Sequence, residues 1–183
     1  LRSLKFLIYN MNDNKYSVMF FITLIFIILW WGYAKSETIT PKNNDLHCLA
    51  QNIYFEARTE SDAGQIAVGQ VVLNRVDHPR YPDSVCDVIR QGPTYTFDPD
   101  FPVRNKCQFS WYCDGKSDDI KNIPAWNHAK AIAGVLLAMP DMVPNIVEDA
   151  THYHADYVKP HWADHLERVT RIENHIFYRV IDN

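Results

Sequence analysis

Residues 45–76 read DLHCLAQNIYFEARTESDAGQIAVGQVVLNRV, and this stretch decides the fold. In its first half Leu46, Leu49, Ala50, Ile53, Tyr54 and Ala57 recur at helical spacing, and Asn44 or Asp45 can cap the helix they predict. Ser61 and Asp62 then open a second helix, with Ile66, Val68, Val71, Val72, Leu73 and Val76 apolar, until Pro79 and Pro82 end it. Gly64 and Gly69 leave room for close helix contact. Glu56 stands near the end of the first helix, on the flank of its apolar stripe rather than opposite it. A carboxyl there is half shielded, and desolvation raises its pKa toward the range of a general acid. Glu60 follows one helical turn later, close enough for two carboxylates to raise each other's pKa.

Further along, Ser84 to Gln91 predicts a short helix with Gly92 at its C-terminal cap. Gly92 to Lys106 carries Pro93, Pro99 and Pro102 among aromatics, without periodicity, and reads as an ordered loop over a groove. Cys107 to Cys113, CQFSWYC, reads as a short strand or turn, and Asp114-Gly115 marks a turn. Pro124 suits the first turn of a third long helix with Trp126, Ala129, Ile132, Ala133, Leu136 and Leu137 as its core face, stopped at Pro140. Ala150 to Ala155 and Val169 to Val180 predict strands, the latter a hairpin turning near Glu173-Asn174. The expected class is α+β: mainly helical, with a small antiparallel sheet, preceded by one N-terminal hydrophobic helix.

That leading helix is read from charge. Nothing between Lys15 and Lys35 is charged, and Val18 to Trp31 is apolar apart from Thr23. Basic residues precede it, so residues 1–36 are expected to be a signal peptide or a membrane anchor with its start on the cytoplasmic side. Residues 37–44 are expected to form a polar linker, and 45–183 the folded domain that carries the function. The protein is therefore expected to be exported to the cell envelope, anchored or secreted, and to act as a monomer. The net charge is −4, and before Ser36 only Asp13 opposes four basic residues, so the body is acidic. An acidic body without a basic strip argues against nucleic acid as partner. The 4 cysteines, Cys48, Cys86, Cys107 and Cys113, suit two disulfides in a translocated domain. Three pairings are possible; Cys107–Cys113 and Cys48–Cys86 are preferred, and the long irregular spacings make a zinc site the weaker alternative.

Two other groups of residues could carry chemistry. His152, His154, His161 and His165 lie close in sequence, the first pair alternating on a strand and the second pair at i, i+4, the spacing of a helical zinc pair. No Glu follows His161, so the H-E-x-x-H motif is not met. Aromatics gather where the chain is irregular: Tyr95, Phe97, Phe101, Trp111, Tyr112, Tyr153, Tyr157 and Trp162 could lay their faces on sugar rings, with Phe109 assigned to the core. Gln108, Ser110, Asn105 and Asp114 could meet sugar hydroxyls. Neither a G-x-S-x-G nor a phosphate-binding loop occurs.

Taken together, Cys48 to Glu60, Gly64 to Val76, Cys107 to Gly115, Ala150 to Ala155 and His175 to Arg179 resemble the spore cortex-lytic cell-wall hydrolase family. The resemblance covers residues 48–179 in the family's order. It implies cleavage of peptidoglycan on a lysozyme-like, lytic-transglycosylase-like fold, without cofactor or metal. It implies that Glu56, the first Glu of the family's E-A-R-G-E motif, is the catalytic acid and that Glu60 supports it. Gln108 and Ser110 would lie on a substrate-side strand, with Trp111 beside them, and Tyr153-His154 would correspond to a Tyr-Asn pair that also meets substrate. Thr59 replaces the family's Gly before Glu60, and His154 replaces the Asn.

Glycoside cleavage normally uses two carboxyl groups roughly 5–9 Å apart. The sequence nominates one, which suits a lytic transglycosylase cutting between N-acetylmuramic acid and N-acetylglucosamine to leave 1,6-anhydro ends. The competing expectations are a zinc-dependent amidase or peptidase built on the histidines, and a membrane-tethered glycan-binding module built on the aromatics.

Overall fold

The computed structural model describes residues 43–181, so the expected signal or anchor segment at 1–36 and nearly all of the 37–44 linker lie outside the described residues. Among the described residues no helix is long and apolar enough to cross a membrane. The helix predicted from Leu46 and its repeats is α1, Asn43–Ala57, and the second is α2, Asp62–Asp77. The short α3, Val85–Arg90, starts at Ser84, whose Oγ accepts from the Asp87 amide. The long α4, Ile123–Ala138, starts at Asn122, whose side chain accepts from the Ala125 amide, with proline in its first turn. Those caps satisfy backbone donors that a helix start leaves open.

Two small antiparallel sheets complete the domain. Strands β1, Thr94–Tyr95, and β2, Asp98–Pro102, make a hairpin. Strands β3, His152–Ala155, β4, Glu167–Ile172, and β5, His175–Arg179, form a sheet in the order β3-β5-β4. The turn between β4 and β5 is at Glu173-Asn174, where Glu173 adopts a positive φ of 50°. The mainly helical α+β class holds, with two small sheets instead of one.

α2 is apolar on two sides because it separates two cores. Val72 joins Leu49, Ile53, Val88, Ile89, Phe109, Ile132 and Leu136 on one side. Ala67 and Val71 join Val147, Ala150 and Phe177 on the other. Each large buried aliphatic contributes about 1.5–3 kcal/mol. Gly69 brings α1 and α4 onto α2: a Cβ there would stand 2.5 Å from a Leu136 methyl and 3.2 Å from Ile53. The polar face of α2 serves backbone. Gln70 bonds the Pro144 carbonyl and the Ile146 amide, Asn74 the Glu148 and Ala150 carbonyls, and Arg75 the Thr151 carbonyl. Segment 144–151, nearly without regular structure, is thus tied down before it enters β3.

Cys48 is joined to Cys86, linking α1 to the start of α3, and Cys107 to Cys113, closing a loop on itself. Disulfides persist in oxidising surroundings, outside the cytoplasm.

Three local expectations change. Residues 92–106 are not a loop but hold the β1–β2 hairpin, whose Phe97 and Phe101 are exposed. The strands are too short and proline-rich to show alternation. Gly92 does not cap α3 with a left-handed residue. It is needed for close approach, since a Cβ there would lie 3.0 Å from the Cys107 backbone. Of the strand or turn expected for CQFSWYC, the structure has the turn, a 3₁₀ turn at Ser110–Cys113, and no strand.

Candidate active site

A groove of about 580 Å³ opens along the last turns of α1. One wall is Phe55 and Glu56. The other is formed by the disulfide-closed loop and the segment after it, with Ser110, Trp111, Asp114 and Asp118. α1 places the first wall because Asn52 and Glu56 are one turn apart. The loop is registered on the helix by two contacts. Trp111 donates its indole N–H to Asn52 Oδ1 at 3.0 Å, and its ring stacks on Phe55 at 4.8 Å. An aromatic face is thereby fixed beside the carboxyl.

Glu56 accepts a hydrogen bond from the Tyr153 hydroxyl, 3.1 Å from its Oε2. Burial pushes its carboxyl above the usual carboxylate range, while the Tyr153 bond and the nearby Arg75 charge oppose the rise. Its place in the last turn of α1 adds to the cost of ionisation, because helix C-termini disfavour negative charge. The Tyr153 hydroxyl is itself held well above its ordinary pKa by burial and by Glu56, so it remains a donor. The result is an acid that keeps its proton longer than a surface carboxylate, in contact with a groove.

Across the groove the carboxylates differ from one another, and Asp114 is shifted the opposite way to Glu56. Asp114 is held below the usual range, first by the Lys116 amide and then by its ammonium, 3.2 Å away. The Asp114-Gly115 turn carries a positive φ of 78° at Gly115, and the Arg104 guanidinium covers that side, donating to the Asp114 carbonyl. Asp118 is pushed up, by partial burial and by Asp114 and Asp119.

Of the residues nominated from sequence, Glu56, Ser110, Trp111 and Asp114 line the groove, and Tyr153 stands behind Glu56 as its hydrogen-bond donor. The others go elsewhere. Glu60 leaves the helix, which ends at Ala57, and accepts from the Asn174 side-chain amide at the β4–β5 turn. The raised pKa of Glu56 therefore comes first from burial and not from a paired Glu60. Gln108 is exposed and lies outside the groove lining, because the segment expected to be a strand is a turn. His154 is buried and faces away from Tyr153, as neighbours on a strand must. Its Nδ1–H donates to the Ala155 carbonyl, its Nε2 accepts from the Tyr178 hydroxyl, and its ring stacks on Tyr178.

Two of the four histidines belong to an aromatic cluster. His152 and His154 both pack on Trp162, at 5.3 and 5.6 Å, and His161 and His165 bound a 3₁₀ turn, where i, i+4 residues do not share a face. Among the described residues no three His, Cys, Asp or Glu side chains are placed to hold one metal ion. The zinc-site reading loses its constellation. Sequence reasoning missed Asn52, Phe55 and Arg75. Helical spacing from Glu56 could have found Asn52; nothing local marks the other two.

With this geometry in view, the comparisons are specific. Residues 59–178 match the family model described as Cell Wall Hydrolase, and the chain belongs to that family. Glu56 stands just ahead of the matched residues. A segment of 54 residues is 46% identical to the spore cortex-lytic enzyme of Bacillus subtilis (strain 168), covering 30% of this chain and 18% of that protein. The spore cortex-lytic enzyme of Halalkalibacterium halodurans is 44% identical over 54 residues, 30% of this chain and 16% of that one. The chain thus spans under a fifth of these relatives. The crystal structure of the catalytic domain of the Bacillus cereus SleB protein is similar at a TM-score of 0.52 and 25% identity, over 79% of this chain and 99% of that one. The catalytic domain of the germination-specific lytic transglycosylase SleB from Bacillus anthracis gives 0.52 and 24%, over 76% and 98%. The latter likeness shows the fold.

Proposed function

We propose that this protein cleaves the glycan strands of peptidoglycan between N-acetylmuramic acid and N-acetylglucosamine as a lytic transglycosylase, with Glu56 as the catalytic acid. The observation that carries the reading is the half-buried Glu56 carboxyl at the groove, desolvated and bonded by Tyr153. Protonated Glu56 gives its proton to the bridging oxygen as the bond to C1 of the muramic acid breaks. An oxocarbenium-like centre develops, facing a wall with Asp114 and Asp118, whose negative potential favours it. Glu56, now a carboxylate, takes the proton of the C6 hydroxyl, and that oxygen closes on C1. No water is consumed, and Glu56 ends protonated as it began. The nucleophile is part of the substrate, so little entropy is lost in bringing it.

Similarity to a protein named a lytic transglycosylase and membership of the cell wall hydrolase family support this reading. So does Trp111, an aromatic in the groove lining of the kind on which sugar rings pack. The lysozyme-like architecture belongs to the same proposal, as does an extracytoplasmic site of action, where two disulfides persist. Residues 1–36 would tether or export the domain, and an anchor would raise its concentration at the wall.

Digestion of purified sacculi followed by mass spectrometry of the muropeptides tests it. Fragments with ends one water lighter than hydrolysed ends are expected. Glu56→Gln should lower their release about 10³-fold. Hydrolysed ends would make the enzyme a muramidase, and undiminished release by Glu56→Gln would remove Glu56 from the mechanism. Binding to sacculi without soluble fragments would leave only a glycan-binding module.

A further inference from the structure

The mechanism uses Glu56 and Tyr153 but leaves unexplained a charge buried beside them. Arg75 lies on α2 with only 4% of its surface exposed. Its Nε donates to the Thr151 carbonyl at 2.7 Å, just ahead of the strand that carries Tyr153. Its guanidinium carbon lies 5.4 Å from the Tyr81 ring centre and 5.0 Å from that of Phe109. Its Nη1 is buried without a hydrogen-bond partner. Burying a guanidinium with a donor unspent is costly, and one carbonyl could be bonded by a neutral side chain. What a neutral group cannot supply is a fixed positive field reaching Glu56, Tyr153 and His152, the groups whose titration its charge biases.

We propose that Arg75 is a positioning residue for the proposed reaction: it fixes the entry to β3, and so Tyr153, and it provides the buried counter-charge to the Glu56 carboxylate that exists once the acid has given up its proton. The inference rests on the glycosidase reading. In the intermediate Glu56 is negative in a desolvated place, and its surroundings are Tyr153 from β3, Arg75 from α2, and Arg58, Asp114, Lys116, Asp118, Asp119 and Lys121 around the groove. Of these, Arg75 is the cation that is buried and therefore little screened by salt. Its field also opposes a proton on His152, whose pKa is lowered to about 4 first by burial and then by Arg75. His152 thus stays neutral near neutral pH while Glu56 cycles.

The test separates charge from packing. Arg75→Lys keeps the charge; Arg75→Met keeps bulk and removes it. Arg75→Met is expected to lower kcat about tenfold or more with KM within about twofold, and to move the alkaline limb of kcat/KM upward by about one pH unit, because Glu56 then holds its proton more tightly. Arg75→Lys should keep the limb where the wild type has it. If both variants lose activity equally with an unmoved limb, Arg75 is only a packing group and the proposal fails. Should Arg75→Met not fold, Arg75→Gln, which keeps a donor for the Thr151 carbonyl but removes the charge, takes its place: a limb moved upward supports the proposal, and a folded variant with an unmoved limb overturns it. NMR titration of the Glu56 carboxyl in wild type and variants requires no turnover. A pKa that rises in Arg75→Met upholds the electrostatic role even if sacculi are never cut, and one that stays put defeats it even if they are.

Discussion

Glu56 and Asp114, one on each wall of the groove, are shifted in opposite directions. On the α1 side Glu56 is desolvated and sits at a helix C-terminus, and its pKa is raised. On the loop side Asp114 is bonded by a backbone amide and an ammonium, and its pKa is lowered. The residue types are nearly identical, and surroundings alone divide the roles. The difference also shows where each wall gets its shape. The α1 wall is core with a polar edge, whereas the loop wall stands on one disulfide and on Trp111 reaching back to Asn52 and Phe55.

The contrast between the walls breaks most easily at Trp111. Trp111→Ala removes both the stack on Phe55 and the bond to Asn52, so the loop wall loses its register. Release of muropeptides should fall about 100-fold, mostly through KM, as one lost aromatic platform and its bond imply. A loss under twofold would mean that the wall does not meet substrate. Removing the closure, with Cys107→Ser and Cys113→Ser together, should cost about 2 kcal/mol in chemical unfolding, as a loop this short implies. Circular dichroism would check it, and the α1 wall should keep its Glu56–Tyr153 bond.

A finer test concerns stability. The folded pKa of Glu56 is raised above 4.5, so its contribution is fully present below the unfolded pKa and is lost as pH rises through the folded one. Glu56→Gln should therefore melt higher than wild type at pH 7, by roughly a degree or two, and the advantage should vanish below the ordinary carboxylate range. A Gln variant that melts lower at pH 7 would mean that the site is not strained by charge. The smallest effect is expected on the solvent side. Asp114→Asn should slow the reaction only about threefold, with a loss that shrinks in high salt. A loss as large as that of Glu56→Gln would give Asp114 a second catalytic carboxylate's role and favour hydrolysis.

Legibility in the sequence divides along the same line between local and distant contacts. Leu49, Ile53 and Ala57 repeat at helical spacing, Asn122 and Pro124 start a helix, and Glu173-Asn174 turns a hairpin, because each signal is local. Glu56 could be singled out because its helical position is local too. Its partner was not legible: Tyr153 is 97 positions away, and only packing brings them together. His154 was nominated beside Tyr153, yet strand alternation sends it to the opposite face against Trp162 and Tyr178. Arg75 reads as a polar break in an apolar helix until the fold covers it. Residues 92–106 hid a hairpin because its two-residue and five-residue strands show no period of their own.

Catalysis as proposed turns on the proton of Glu56. Carbon-13 NMR of the folded protein, following the Glu56 side-chain carboxyl from acid to neutral pH, measures it without substrate or turnover. The expected result is a midpoint clearly above the ordinary value of 4.5, with Asp114 titrating below its own ordinary value of 3.8 in the same sample. A Glu56 midpoint at or below 4.5 would leave no acid on the α1 wall and would contradict the mechanism.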